Sequence, residues 1–190
     1  MPGQVKRPRE ALAQGAASIL GRALTAHELD LFARYLGLLV RWQRSHRLIG
    51  SSNEMWIVEH LFLDSLLFLR LLPSTVRSLV DIGSGAGLPG IPIKIARSDV
   101  EVVLVESRRR RASFLSAVVR ELALGRTRVV ADRIESLLPE LEGGVDAVVM
   151  RCAGDVDELM PLAARLLAPQ GVVIASGPPR PRPLTRGEWV

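Results

Sequence analysis

"LVDIGSGAGLPGIP", residues 79–92, runs from an apolar stretch through an acid into a loop with glycines at 83, 85, 87 and 90. A short apolar run that ends in glycines reads as a buried strand opening into a ligand-binding turn. Working outward, "VRSLVDI" (76–82), "VEVVLVE" (100–106), "RVVA" (128–131), "VDAVVM" (145–150) and "GVVIAS" (171–176) are strand candidates. Helical spacing fills 89–97, 108–123 and 155–168 between most of them. Strand and helix in alternation predict an α/β fold: a Rossmann-like, mostly parallel sheet flanked by helices, with right-handed crossovers. The nearly unbroken apolar character of the strands suits burial on both faces.

In such a sheet ligands bind at the carboxyl ends of the strands. Gly83, Gly85 and Gly87 let the backbone turn tightly and approach a ligand with no Cβ in the way. Residues 85–90, "GAGLPG", also satisfy G-x-G-x-x-G, so a dinucleotide site has to be weighed. Glu106 ends the second strand, where an acid can hold the two ribose hydroxyls of an adenosine. That spacing fits NAD and S-adenosylmethionine equally. Asp81 favours the second. A carboxylate would repel a pyrophosphate lying over the loop by something on the order of several kcal/mol at intermediate dielectric, whereas S-adenosylmethionine presents an ammonium there. The competing reading is that Asp81 caps the loop through its neighbours' amides. "ADRIE" (131–135) follows the third strand and is expected over the adenine. The amides of Ile134 and Glu135 and the carboxylate of Asp132 are then candidates to read the base, the alternative being an ordinary strand-to-helix turn.

Upstream, residues 9–72 read as helix. Thr25 and Glu28 form a capping box before an amphipathic stripe of Leu29, Phe32, Leu36, Leu39 and Trp42. "SSN" (51–53) offers capping oxygens for a next helix carrying Trp56, Leu63, Leu67 and Leu71. The expected organisation is a helical extension over 1–75, a donor-binding domain over 76–176 and a Pro/Arg-rich tail over 177–190.

With 190 residues, 48% of them apolar, the chain is no disordered tail and can bury one core. Lys plus Arg outnumber Asp plus Glu by 25 to 20, nearly all of the positive charge being Arg, which favours an anionic partner if it is more than a compositional habit. One cysteine excludes an internal disulfide and fits a reducing compartment. No apolar run is long enough to span a bilayer, and "MPGQVKRPRE" lacks the apolar core of a secretory signal. A cytoplasmic monomer without metal or membrane attachment is the expectation. Arg108, Arg109, Arg110 and Arg111 open a helix against its macrodipole, at ~0.3–1 kcal/mol each if exposed. RNA phosphates would offset this, with Arg180, Arg182 and Arg186 joining the patch; pairing with Glu106 or Glu121 is the bland alternative. Cys152 reads as a small buried residue rather than a nucleophile.

With these pieces the chain resembles the bacterial family of small-subunit (16S) ribosomal RNA guanine-N7 methyltransferases, once called glucose-inhibited division protein B. The likeness runs over about 25–175, its most specific part being "DIGSGAGLPGIP", with "NEM" (53–55), "FLDSL" (62–66), "RRRASFL" (109–115) and "MRCA" (150–153) in the expected order. The resemblance implies S-adenosylmethionine as cofactor, Gly83 and Leu88 as loop contacts, Ile134 and Glu135 at the adenine, Glu106 at the ribose, and Arg151 beside donor and acceptor. It implies 16S ribosomal RNA or the small subunit as partner. The family's His three residues before the D-S pair is here Leu61, with His60 displaced by one. Its W-N and N-L-T pattern appears as "WQ" (42–43) and "RLIG" (47–50), and its K-G after the fifth strand as Ser176-Gly177. Methyl transfer to guanine N7 is an in-line displacement by a free lone pair, so alignment suffices and no catalytic base is assigned. The alternatives are an NAD-dependent oxidoreductase and a non-catalytic relative that binds RNA or cofactor.

Overall fold

The computed structural model describes residues 7–151 and 154–177. Cys152, Arg180, Arg182 and Arg186 lie outside the described residues, as does all of the expected tail except Gly177. Strands β1 (Ser78–Ile82), β2 (Glu101–Val105), β3 (Thr127–Val130), β4 (Val145–Arg151) and β5 (Leu167–Ser176) form one sheet in the order β3-β2-β1-β4-β5. Every pairing is parallel, with Asp81 in register with Leu104 on one side and Val149 on the other. β1 is central, and the chain switches direction of winding between it and β4, which creates the crevice where open α/β sheets bind ligands.

Both faces of the sheet are apolar, as the strand composition requires. Val80, Ile82, Val103, Val105, Val148 and Met150 belong to the core that includes Leu138 and Leu166 of the later helices. Leu79, Val102, Leu104, Ala147 and Val149 point the other way, into a continuous core with Leu12, Phe32 and Phe62 of the N-terminal helices. The extension therefore shares its interior with the sheet. Among the described residues no helix is long and apolar enough to cross a membrane.

Helix α1 spans Pro8–Leu20 and α2 spans Ala26–His46. The Thr25 box forms: Thr25 Oγ1 accepts from the Glu28 amide (3.1 Å) and Glu28 Oε2 from the Thr25 amide (2.6 Å). The buried stripe of α2 is wider than the spacing predicts. Phe32 and Leu39 are buried, but so are Leu31, Tyr35 and Leu38, whereas Leu29 and Leu36 are half-buried. The reason is that α2 packs on four helices, α1, α3 (Glu54–Ile57), α5 (Gly90–Ala96) and α6 (Arg109–Glu121), not on one surface.

The stretch 54–70 is helical but not uniform. α3, capped by Asn53 Oδ1 on the Trp56 amide (3.0 Å), leads into a π-helical turn, Val58–Leu63. α4 (Asp64–Leu67) and a 3₁₀ turn, Phe68–Arg70, follow. After β3 come a 3₁₀ turn, Ile134–Leu137, and α7 (Leu138–Leu141), and α8 (Val156–Leu166) connects β4 to β5. The short helical pair after β3 has no periodic signal in the sequence that predicts it.

Candidate functional site

The loop after β1 is folded back under the sheet edge by polar contacts its composition makes possible. Buried Ser84 donates its amide to Val105 O (3.0 Å) and its hydroxyl to Asp81 O (2.9 Å). Tyr35, fully buried on α2, donates its hydroxyl to Ala86 O (2.5 Å) and so ties the helical extension to the loop. Gly83 and Gly85 are half-exposed with φ of 69° and 58°. Gly90 is buried for another reason: a Cβ there would lie 2.6 Å from Asp81 Oδ2 and 2.5 Å from Leu104 Cδ2. The glycines thus divide into a pair that faces outward and others, Gly87 among them, that permit close packing beneath.

Asp81 is not at the lip of the loop. It is fully buried under it, with Oδ2 accepting from the Gly90 amide (3.0 Å). Oδ1 has no hydrogen-bond partner among the described residues. Burial is the main force pushing this carboxyl up to about 7; the Gly90 amide opposes the rise and the nearby charge of Glu106 adds to it. An acid so placed carries only part of a charge near neutrality and presents it to the loop's underside. The capping reading describes its geometry, and the repulsion argument against a pyrophosphate loses its premise. The sequence misleads here because an alternating strand puts Asp81 on the same face as buried Leu79, toward the helices.

At the carboxyl ends of β1, β2 and β3 lies a cleft of about 550 Å³, within the range of small-molecule sites. Its wall brings together Gly83, Glu106, Arg108, Arg111, Asp132, Ile134 and Glu135, all candidates from the sequence. Glu106 is only 5% exposed. Its Oε2 accepts from the Gly85 amide (3.0 Å) and its Oε1 from the Arg108 amide (2.8 Å), so the acid spans β2 and the glycine loop. The Arg111 guanidinium lies close over Gly85, 3.7 Å from where a Cβ would stand. Asp81, Gly85, Gly87, Leu88 and Arg151 are outside this wall, Gly85 being joined to it through the Glu106 carboxylate, and Arg109 and Arg110 are exposed beyond it. The cleft also contains Ser107, Arg133 and, from α8, Glu158, Leu159 and Leu162, none of them foreseen. Arg133, inside "ADRIE", is the one within reach of sequence reasoning.

Arg151, at the end of β4, clasps the π-helical turn. Its guanidinium donates to His60 O (2.6 Å), Leu61 O (3.2 Å) and Ser65 Oγ (3.3 Å), with Asp64 at 3.4 Å. Ser65 Oγ also donates to Leu61 O (2.5 Å). A second cavity of about 370 Å³ opens beside it, between Asp64, Leu67, Phe68 and Leu71 and the end of β5. The "WQ" and "RLIG" segments meet as well: Gln43 Nε2 donates to Ile49 O (2.5 Å) and its Oε1 accepts from the Ile49 amide (2.8 Å).

With the geometry in place, comparison with known proteins is specific. The family described as GidB, rRNA small subunit methyltransferase G, matches residues 28–177. The chain is 38% identical over 164 residues to ribosomal RNA small subunit methyltransferase G of Chromobacterium violaceum, covering 86% of this chain and 77% of that one. It is 40% identical over 168 residues to the protein of that name in Anaeromyxobacter dehalogenans, covering 87% and 76%. Among solved structures, precorrin-6y C5,15-methyltransferase of Geobacter metallireducens GS-15 superposes with a TM-score of 0.52 at 19% identity, over 69% of this chain and 65% of that one, a likeness of fold. The oxidoreductase alternative falls with these matches. The chain belongs to the rRNA small subunit methyltransferase G family.

Proposed function

We propose that this protein transfers the methyl group of S-adenosylmethionine to N7 of a guanine in small-subunit (16S) ribosomal RNA. The observation that carries the reading is Glu106, an almost fully buried acid at the end of β2 whose oxygens each accept one amide and line the cleft. Each carboxylate oxygen keeps a free lone pair, so the two hydroxyls of a ribose fit without displacing either amide. Half-exposed Gly83 and Gly85 allow the donor to lie against the backbone. Ile134, Glu135 and Asp132 line the same cleft as Glu106, which supports their contact with the adenine. When bound, S-adenosylmethionine supplies an electrophilic methyl on a sulfonium.

The chain's own residues then have three tasks. Glu106, Gly83 and Gly85 fix the donor; Asp81, Gly87, Leu88 and Tyr35 hold the loop's shape from below; Arg151 keeps the helices over 58–65 attached at the end of β4. Guanine N7 attacks with a lone pair it already has, so no residue needs to remove a proton, and orientation is the main catalytic contribution. Calorimetric titration with S-adenosylhomocysteine tests the cofactor half: Glu106→Ala should weaken binding at least tenfold, and unchanged affinity would refute the assignment. Transfer of labelled methyl to deproteinised small-subunit RNA and to assembled subunits, with mapping of N7-methylguanine, tests the rest. Label at another atom overturns the N7 assignment, and no label in either substrate points to a non-catalytic relative.

A further inference from the structure

Apart from Arg151, which ends β4 and pairs with Asp64, the arginines that border the strands divide by the end of the sheet they occupy. Those that precede β1, β2, β3 and β5 are in ion pairs: Arg77 and Arg97 with Asp99 (3.6 and 2.8 Å), Arg126 with Glu101 (3.6 Å) and Arg165 with Glu142 (2.8 Å). Among the described residues, Arg108 to Arg111 and Arg133, which follow β2 and β3 at the carboxyl ends, are in none. At that end Arg151 pairs with Asp64 and the cleft holds Glu106, Asp132, Glu135 and Glu158, so the unpaired cations facing outward are those that open α6.

Helix α2 delivers a second set of cations to the same place. Trp42 meets Phe114 edge-on with ring centroids 5.4 Å apart. Arg34 donates to Glu121 O, and Arg41 pairs with the Glu121 carboxylate at 3.4 Å. Positions 34 to 42 of α2 therefore run alongside 121 to 114 of α6, an antiparallel pairing. Arg44, His46 and Arg47 lie within about one turn of Trp42 along α2, and Arg110 and Arg111 within one turn of Phe114 along α6, so both sets start from the Trp42–Phe114 contact. Arg44, His46, Arg47 and Arg110 are exposed, and neither Arg44 nor Arg47 has an ion-pair partner among the described residues. Arg47 closes α2 in the left-handed region (φ 45°), where glycine would avoid a cost of ~1 kcal/mol. Two Trp–His pairs lie in the N-terminal helices, one of them on the same end of α2 as Arg44 and Arg47. Trp42 and His46 have centroids 4.9 Å apart, and Trp56 and His60 stack at 5.1 Å and 10°. The carbonyl of His60 is the one Arg151 holds at the end of β4.

We propose that Arg44 and Arg47 of α2, with Arg110 and Arg111 of α6 and the two Trp–His pairs, form the surface that binds the substrate RNA. The guanidinium forks take the sugar-phosphate backbone and the rings take an unpaired base. The RNA is then gripped by the N-terminal helices as well as by the methyltransferase sheet. This rests on the ribosomal RNA reading above and names the face that receives that substrate. Charge complementarity selects the partner: Arg44, Arg47 and Arg110 are exposed and in no ion pair among the described residues, which leaves their guanidinium groups available to a polyanion.

The test uses the full chain and deproteinised small-subunit ribosomal RNA. The double variant Arg44→Gln/Arg47→Gln, checked for an unaltered melting temperature, should weaken RNA binding. It should also flatten the plot of log affinity against log salt by about 0.7–0.9 for each phosphate no longer neutralised. Its affinity for S-adenosylhomocysteine should stay that of the parent. Trp56→Leu should weaken binding with little change in salt slope, and Arg77→Gln/Arg126→Gln should change neither. Unchanged RNA affinity and slope in the Arg44→Gln/Arg47→Gln variant, with both reduced in Arg110→Gln/Arg111→Gln, would overturn the proposal. If the parent binds RNA through α2 but transfers no methyl group, the catalytic reading fails and this surface stands.

Discussion

Asp81→Asn isolates the energetic consequence of burying an acid beneath the loop. Asparagine keeps the size of the side chain and an oxygen for the Gly90 amide, and it cannot ionise. A rise from 3.8 to about 7 corresponds, at 1.36 kcal/mol per pH unit, to about 4 kcal/mol. The folded-state value lies above the unfolded one, so the native state holds the proton more tightly. The stabilisation from Asp81 is then complete below about pH 4 and is lost as pH rises through about 7. Between pH 5 and 8 the linkage relation gives a loss of roughly 2.5 kcal/mol from this one group. The substitution leaves an amide nitrogen without an acceptor where Oδ1 of Asp81 has no partner, a penalty of ~1–3 kcal/mol. That penalty is the same at every pH and cancels in the comparison. Urea unfolding of parent and variant at pH 5, 6, 7 and 8 is the assay: the variant should gain on the parent by the stated amount as pH rises. Two curves that stay parallel across that range would refute the burial argument.

Three other substitutions probe the same architecture. Tyr35→Phe strands the buried Ala86 carbonyl and should cost ~1–3 kcal/mol in urea unfolding while weakening S-adenosylhomocysteine binding, because the loop loses its tie to α2. Gly90→Ala forces a Cβ against Asp81 and Leu104 and should destabilise by ~1–3 kcal/mol, read as a lowered melting temperature. Arg151→Met removes the clasp on His60 O and Leu61 O, and amide exchange over 57–66 should accelerate while that of β1 and β2 stays slow.

Much of the fold is legible in the sequence because it depends on period and punctuation. Apolar runs bounded by glycine and acid locate all the strands, and the alternation with helices determines their parallel pairing. The cleft is legible through Glu106 and "ADRIE", since residues that immediately follow a parallel strand must lie at its carboxyl end. Three-dimensional partners are not. Tyr35 sits in an ordinary apolar stripe, and nothing local says that its hydroxyl meets a carbonyl 51 positions away. The position of Asp81 depends on which sheet face its strand turns toward the helices, which a single strand does not reveal. Resemblance assigns Arg151 a place beside donor and acceptor, but not the contacts to His60 O and Leu61 O by which it holds the helical extension. The ring pairs escape notice because Trp and His at four-residue spacing look like scattered aromatics until a helix stacks them.

The π-helical turn over Val58–Leu63 bears on which side chains the two halves of this helix present. Such a turn consumes one residue more than an α-turn, and each residue advances a helix by about 100°. Side chains on either side of it are therefore offset by one position relative to an unbroken helix. His60, displaced by one from the position the resemblance implies, falls inside this turn. Asp64 and Ser65 thereby take their phase toward Arg151, while the stretch before them keeps its own toward α1.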